Sequence, residues 1–431
     1  MQSTLREKKG IDIMKKVGIE AISLYTPRYY LDLKTLAAAR GTDAEKYYNG
    51  LGQERMAVAP PDEDIVTMSA NAVKVALEGI DYREIDTLML ATESGIDQSK
   101  AAAIYVHSLV GLPSTCKAFE LKQACCSSTA GILSALALVQ MNPRKKVVLV
   151  ASDIARYGLG TPGEPTAGAG AVALVISADP KLVAFDPENG SYTADVMDFW
   201  RPNYMDQAMV DGKYSIRVYL KALSESWNEY VKASGREFND HYRYCYHMPF
   251  TRMAEKGHLH LAKYSAPEGI SKDMLKDQIY SAQRYNRLTG NLYTGSLYEA
   301  LTSLLESRDK LDDRRVGMFS YGSGCMGIFF SGVVQKGYRN YLKTDAHRQM
   351  LEARIDLPYG DYEDMYKAVL PQDGSDAQTM HYETGLYRLA GISGHKRIYE
   401  TVGSIADRHN EKTSVDQQQI PREKASQQGR R

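Results

Sequence analysis

Three residues have the type and setting for nucleophilic and acid–base chemistry. Cys125 stands in LKQACCSSTAG, after a short apolar run and just before a predicted helix from Ser127, where unpaired amides and the helix dipole favour a thiolate. A small buried core residue explains the same setting equally well, and Cys126 beside it reads as packing. Glu93 follows DTLMLAT in TESGIDQSKAAA, so its carboxylate lies where a strand end meets the mouth of an α/β sheet and a general base can work. A solvated or helix-capping acid is the commoner occupant of such a position. His247, in YCYHMPFTRMAEK, ends an aromatic-rich strand and brings an imidazole to a strand end too, although single histidines are usually structural. Arg252 and Lys256, four apart on the next helix, form one basic face suited to phosphates or simply to solvent.

Other patterns carry less. Gly158, Gly160 and Gly163 satisfy GxGxxG, but Pro162 and Pro165 interrupt what should be a helix start, which argues against a nicotinamide cofactor. His258 and His260 lack further ligands, and HExxH and P-loop patterns do not occur, so no metal site is expected. The YGSG at Tyr321 to Gly324 follows a buried strand; its amides and Ser323 can line a pocket or make a plain tight turn.

Alternating elements would have to position these groups. Val17 to Ser23, Asp86 to Thr92, Ala118 to Leu121, Val147 to Ala151 (closed by SD) and Ala171 to Ser177 read as buried strands, with helices over Asp62 to Leu77 and Ser127 to Met141. The second part repeats the alternation, with a helix from about Val218 to Val231, a strand at Arg243 to His247, helices near Thr251 and Ser296, and strands at Val316 to Ser320 and Ile328 to Val334. Unbroken apolar strands between helices predict an α/β fold with a sheet covered on both faces. Residues 1–16 read as a polar N-terminal extension, and the segment from Asp407 to Arg431, rich in glutamine and basic residues, as a mobile tail.

Composition sets the outer limits. Among the 431 residues, 53 Lys and Arg balance 53 Asp and Glu, so no net field draws nucleic acid or an anionic membrane. The longest apolar stretches, Gly131 to Met141 and Ala167 to Ala178, read as core elements shorter than a membrane span, and the charged N-terminus does not read as a secretory signal. A cytoplasmic location is the expectation. Five cysteines, an odd number without a CxxC pair, argue against a disulfide framework.

Read together, Glu93 in ATESGIDQSKAAA, Cys125 in KQAC and His247 in YHMPFTRM resemble the 3-hydroxy-3-methylglutaryl-CoA synthases, a family of the thiolase-fold superfamily. The resemblance runs from about Val17 to Glu400 and takes in DIARYGLGTPGEPTAGAGAVA, MDFWRP, VDGKYS, GNLYTGSLY and YGSG. The separations, 125 − 93 = 32 and 247 − 125 = 122, resemble those of the bacterial mevalonate-pathway enzymes of isoprenoid biosynthesis.

The resemblance implies a thiolase-like fold: two similar halves, 17–178 with the nucleophile and 179–406, forming a five-layered αβαβα sandwich, usually as a homodimer. It implies no bound cofactor, CoA thioesters being the substrates. Cys125 would accept the acetyl group of acetyl-CoA, Glu93 would remove a methyl proton, and His247 would polarise the ketone of acetoacetyl-CoA. Thr166, Ser215, Asn291 and Ser323 would surround the acyl and pantetheine portions, with Arg252 and Lys256 near the phosphates. After the nucleophile the family commonly has tyrosine, glycine and alanine; Cys126, Ser127 and Ser128 stand there in this chain, which points to a different pocket shape. KQAC and YGSGC also resemble the synthases of polyketide β-branching, whose acyl groups arrive on an acyl carrier protein, but the short GEPT segment favours the CoA-dependent kind. The intact Glu, Cys and His disfavour a non-catalytic binding protein, and Glu93 separates the chain from ketoacyl synthases, which use cysteine, histidine and asparagine.

Overall fold

The computed structural model describes residues 16–382 and 385–402. The N-terminal extension, except Lys16, and the expected tail lie outside the described residues, as does the end of the second half beyond 402.

Branched and apolar residues in short runs favour extended backbone that packs on both faces. Nine such runs form one sheet: β1 (Gly18–Tyr25), β2 (Ile85–Ala91), β3 (Lys117–Leu121), β4 (Lys146–Ala155), β5 (Gly168–Ser177), β6 (Val183–Thr193), β7 (Arg243–Tyr246), β8 (Arg315–Gly322) and β9 (Met326–Val334). Their spatial order is β7-β8-β9-β6-β1-β5-β4-β2-β3. The strand directions reveal a repeat. In the first half β2 runs parallel to β4, β4 antiparallel to β5 and β5 antiparallel to β1. In the second half β7 runs parallel to β8, β8 antiparallel to β9 and β9 antiparallel to β6. The halves join at a seam of two residue pairs, Gly18 with Ala184 and Ile19 with Val183.

Helices complete the layers. On the outer face of the first half lie α1 (Ile65–Ala76) and α2 (Ala102–Val110), packed through Val66, Val73, Val106 and the strand residues Leu88 and Val150. Between the halves lie α3 (Ser127–Met141) and α6 (Ser296–Leu305), which touch where the Thr129 and Tyr298 hydroxyls hydrogen-bond at 2.8 Å. The outer face of the second half carries α4 (Gly212–Ser234) and α5 (Arg252–Ser265). The result is the thiolase-like αβαβα sandwich. A single apolar core joins Leu149 and Ile132 of the first half to Tyr244, Leu301 and Phe329 of the second. Burying a side chain of this size stabilises the fold by about 1.5–3 kcal/mol.

The acidic opening of α1 acts as a cap: the Asp64 carboxylate accepts the Val66 and Thr67 amides at 2.9 and 3.2 Å, while Thr67 Oγ1 accepts the Asp64 amide at 3.0 Å. Several boundaries differ from expectation, those of β4 and α4 the most. Strand β4 continues through Ser152 and Asp153 to Ala155, because pairing with β5 extends to Gly168 and supplies backbone partners to the polar residues. Helix α4 is longer at both ends, since Asp211 caps it by accepting the Tyr214 amide at 3.1 Å and Gly235, at φ 67°, ends it. The apolar stretch Ala124–Met141 is also longer than the sequence reading allowed: it has the length and composition to cross a membrane. Half of it is buried, and α3 lies between the two half-sheets, as a core helix does.

Candidate active site

The ends of β2, β3, β4, β7 and β8 meet at one edge of the sandwich. Cys125 comes from the turn between β3 and α3, in which Ala124 adopts φ 44°. That left-handed conformation costs a non-glycine residue about 1 kcal/mol and reverses the chain sharply enough to present Cys125 at the strand end. Gly322 permits the close approach of β8 to this turn, since a Cβ there would lie 2.5 Å from the Gln123 carbonyl oxygen. Glu93 follows β2. The Cys125 thiol donates to Glu93 Oε1 at 2.7 Å, so the sequence-predicted nucleophile and carboxylate are in direct contact.

Asp153 holds this arrangement. Its Oδ1 accepts the Glu93 amide at 2.8 Å and the Thr92 and Ser94 hydroxyls at 3.0 and 2.8 Å; its Oδ2 accepts the Thr294 hydroxyl and amide at 2.6 and 3.0 Å. One buried carboxylate thus ties the end of β2 to the Asn291 loop. Arg201 also donates to the Glu93 carbonyl oxygen.

A cavity of about 650 Å³ opens at Cys125. It brings together Thr166, Ser215, His247, Lys256, Asn291 and Ser323, all of which line it. His247 is buried: its amide donates to the Phe319 carbonyl at 2.8 Å and its carbonyl accepts the Tyr219 hydroxyl at 2.9 Å, while Nδ1 has no hydrogen-bond partner among the described residues. Burial pushes this imidazole down to about 3, so it is neutral near pH 7. Asn291 Oδ1 accepts the Tyr293 amide and Ser296 hydroxyl at 2.8 and 2.9 Å. Gly290, at φ 83°, is needed before it, because a Cβ there would lie 1.9 Å from the Ala167 carbonyl oxygen. The Ser215 hydroxyl donates to Asp198 at 3.1 Å, and Thr166 turns its hydroxyl back to Gly163 at 2.8 Å.

Two expectations need correction. The helix start does not make Cys125 a resting thiolate: burial first, then the Glu93 charge, raises its thiol well above the ordinary value. Glu93 is itself raised, by burial and by Asp153. In the resting pair the sulfur keeps its proton and donates it to Glu93 Oε1. Arg252 and Lys256 do not share one site either. Lys256 lines the Cys125 cavity, whereas Arg252 is paired with Glu255 at 2.8 Å and donates to the Asn49 carbonyl at 2.7 Å in an adjoining surface groove.

Cys126, Ser127 and Ser128 do not line the cavity. Cys126 is fully buried and accepts from Ser320 at 3.3 Å, Ser127 bonds within the turn, and Ser128 donates to the Thr294 carbonyl at 2.6 Å. The glycines of GxGxxG form a loop held by Glu164, which pairs with Arg40 at 2.6 Å and accepts the Gly160 amide at 2.8 Å. His258 is satisfied in the core by Tyr246 and Gln278, both at 2.9 Å, and His260 meets Ser224 at 2.9 Å. Among the described residues no group of three or more His, Cys, Asp or Glu is placed to hold a metal ion.

Sequence reasoning missed the aromatic walls, Tyr157, Phe199 and Tyr293, and the two organising carboxylates, Asp153 and Asp198. All five lie within quoted motifs, so their signal was proximity to recognised residues. The arrangement joins a nucleophile, a base that can take a proton beside it and a neutral imidazole around a partly apolar cavity, which suits acyl transfer and carbon–carbon bond formation.

Comparisons with known proteins agree in direction. The family models for the N-terminal and C-terminal parts of hydroxymethylglutaryl-coenzyme A synthase match residues 13–181, and 183–266 with 261–369. The chain is 40% identical over 384 residues to hydroxymethylglutaryl-CoA synthase of Enterococcus faecalis, covering 89% of this chain and 99% of that protein. It is 34% identical over 375 residues to the polyketide biosynthesis 3-hydroxy-3-methylglutaryl-ACP synthase PksG of Bacillus subtilis (strain 168), covering 82% and 89%. A crystal structure of HMG-CoA synthase complexed with CoA superposes with a TM-score of 0.85 at 38% identity, covering 90% of this chain and all of the other.

Proposed function

The chain belongs to the hydroxymethylglutaryl-CoA synthase family, and from that membership we propose how its own residues condense acetyl-CoA with acetoacetyl-CoA into 3-hydroxy-3-methylglutaryl-CoA. The enzyme is an acyltransferase. Cys125 attacks the thioester carbonyl of acetyl-CoA; the sulfur–carbon bond to CoA breaks, and CoA leaves as a thiol with the Cys125 proton, relayed through Glu93. Glu93 next takes a proton from the acetyl methyl group, and the resulting carbanion attacks the ketone carbon of acetoacetyl-CoA. His247, neutral in its buried position, donates a hydrogen bond to the ketone oxygen as it becomes an alkoxide, and the proton held by Glu93 neutralises that oxygen. Water then cleaves the bond to Cys125. The observation carrying this reading is the 2.7 Å contact between Cys125 and Glu93 at the cavity lined by His247.

Lys256 at the cavity wall would meet the CoA phosphates, with Thr166, Ser215, Asn291 and Ser323 along the acyl and pantetheine portions. The chain needs no further cofactor in this scheme, and a cytoplasmic homodimer is the assembly it would form. Delivery of the acyl groups by a carrier protein is the second reading, supported by the identity to the PksG synthase; the higher identity and fuller coverage of the Enterococcus enzyme favour free CoA thioesters.

The test is incubation with labelled acetyl-CoA. Label is expected on a peptide containing Cys125 and absent from Cys125→Ser, and adding acetoacetyl-CoA should release 3-hydroxy-3-methylglutaryl-CoA. Labelling from an acetyl carrier protein but not from acetyl-CoA would establish the second reading.

A further inference from the structure

A second cavity, of about 610 Å³, reaches the same catalytic pair from the other side. Glu93 lines it and Cys125 does not, whereas Cys125 lines the first cavity and Glu93 does not. Phe199, Ala208 and Tyr293 line both and form the wall between them. The Cys125–Glu93 hydrogen bond therefore crosses from one cavity to the other. The second cavity has polar, exposed residues at its mouth, including Gln98, Lys122, Asn203 and Asp206, and its floor is Glu93 and Ala124. At roughly 30 Å³ per molecule, a space of this size and polarity takes many waters.

The chemistry requires such an entrance. Resting on the catalytic reading above, the condensation product is bonded to Cys125 through one carboxyl carbon and to CoA through the other. Its pantetheine chain fills the first cavity at the step when water must reach the Cys125 thioester.

We propose that the second cavity delivers the hydrolytic water, and that Glu93 activates it there. Water gives a proton to the Glu93 carboxylate as its oxygen bonds to the thioester carbon. The carbon–sulfur bond then breaks, its electron pair goes to Sγ, and Sγ takes the proton from Glu93, while the new carboxylic acid releases one proton to solvent. Burial and Asp153 raise Glu93 towards the neutral range, where one carboxyl group can serve first as base and then as acid.

The experiment uses acetyl-enzyme prepared from labelled acetyl-CoA and freed of excess, with desulfo-CoA added to fill the first cavity. The wild type is expected to hydrolyse its acetyl group within about threefold of the rate without desulfo-CoA. Asn203→Trp and Met205→Trp, which fill only the second cavity, should label Cys125 at the normal rate yet hydrolyse about tenfold more slowly with desulfo-CoA bound. Arrest of wild-type hydrolysis by desulfo-CoA would overturn the proposal, because water would then enter by the first cavity. Normal hydrolysis in both variants with desulfo-CoA bound would overturn it as well. If the wild type takes no label on Cys125, the catalytic reading itself falls and this inference with it; normal labelling followed by either result above sinks the inference alone.

Discussion

Cys125 and Glu93, thirty-two residues apart in the chain, share a hydrogen bond of 2.7 Å in which the thiol is the donor. Burial first, then Glu93, raises the thiol's affinity for its proton, whereas Glu93 is raised by its own burial and by Asp153 and is lowered by the hydrogen bond from the thiol. In the proposed reaction nucleophilicity would therefore be generated as the thiol proton leaves, rather than stored as a thiolate.

Removing the carboxylate should lower the thiol's pKa, since it removes a like charge and an acceptor that holds the proton. Alkylation of Cys125 by iodoacetamide, followed against pH, is expected to show a midpoint at least about one unit lower in Glu93→Ala than in the wild type. The same variant should still take an acetyl group but condense about a thousandfold more slowly. An unmoved midpoint would mean that the carboxylate does not control the thiol.

His247 should stay neutral across the working range. Because burial pushes it down to about 3, its protonation lies below that range, and condensation by pre-acetylated enzyme should show no rate change centred near the ordinary histidine value of about 6.5. A limb near that pH that disappears in His247→Gln would contradict the buried, neutral imidazole.

The two basic residues of α5 should separate kinetically. Lys256→Ala is expected to raise the KM for acetyl-CoA about fivefold with little change in kcat, whereas Arg252→Ala, already paired with Glu255 and Asn49, should alter KM by less than about twofold. Equal effects would return both to the phosphate site.

Glu63 offers a test on stability rather than turnover. It is buried beside Asp62 and Asp64, its Oε1 accepts the Tyr25 hydroxyl, its Oε2 has no partner among the described residues, and burial pushes it up to about 8. The unfolded chain ionises this group at its ordinary value, while the folded chain keeps the proton until about pH 8. Unfolding between those limits releases a proton, so this group's contribution falls as pH rises through the window and levels off above it. Glu63→Gln lacks the effect. Its Tm relative to the wild type should be higher at pH 8 than at pH 5 by about 2 °C or more, measured by thermal denaturation.

Much of this site was legible because strand ends and helix starts are marked by residue type. The apolar run before Glu93 and the small-residue turn at Cys125 announce both positions, and α3 begins at the predicted Ser127. Two kinds of information were not legible. Asp153 looked like the polar end of a strand, and only its position among five donors from two distant segments reveals its task. The paired state of Arg252 depends on Asn49, 203 residues away, and the balance between helix dipole and burial at Cys125 depends on how much protein encloses the sulfur. Local sequence contains neither.

The seam between β1 and β6 is only two residue pairs long, and the other backbone hydrogen bonds between the halves, such as Glu54 to Arg287 and Leu357 to Tyr30, are scattered along the chain. The continuous surface that joins them is α3 and α6 with the apolar interior around them. Either half made alone would bare an oily face that its own chain has no means of covering. Fragments cut between Ser177 and Val183 would clump when expressed singly, and would regain a shared reaction chamber only if both were synthesised together.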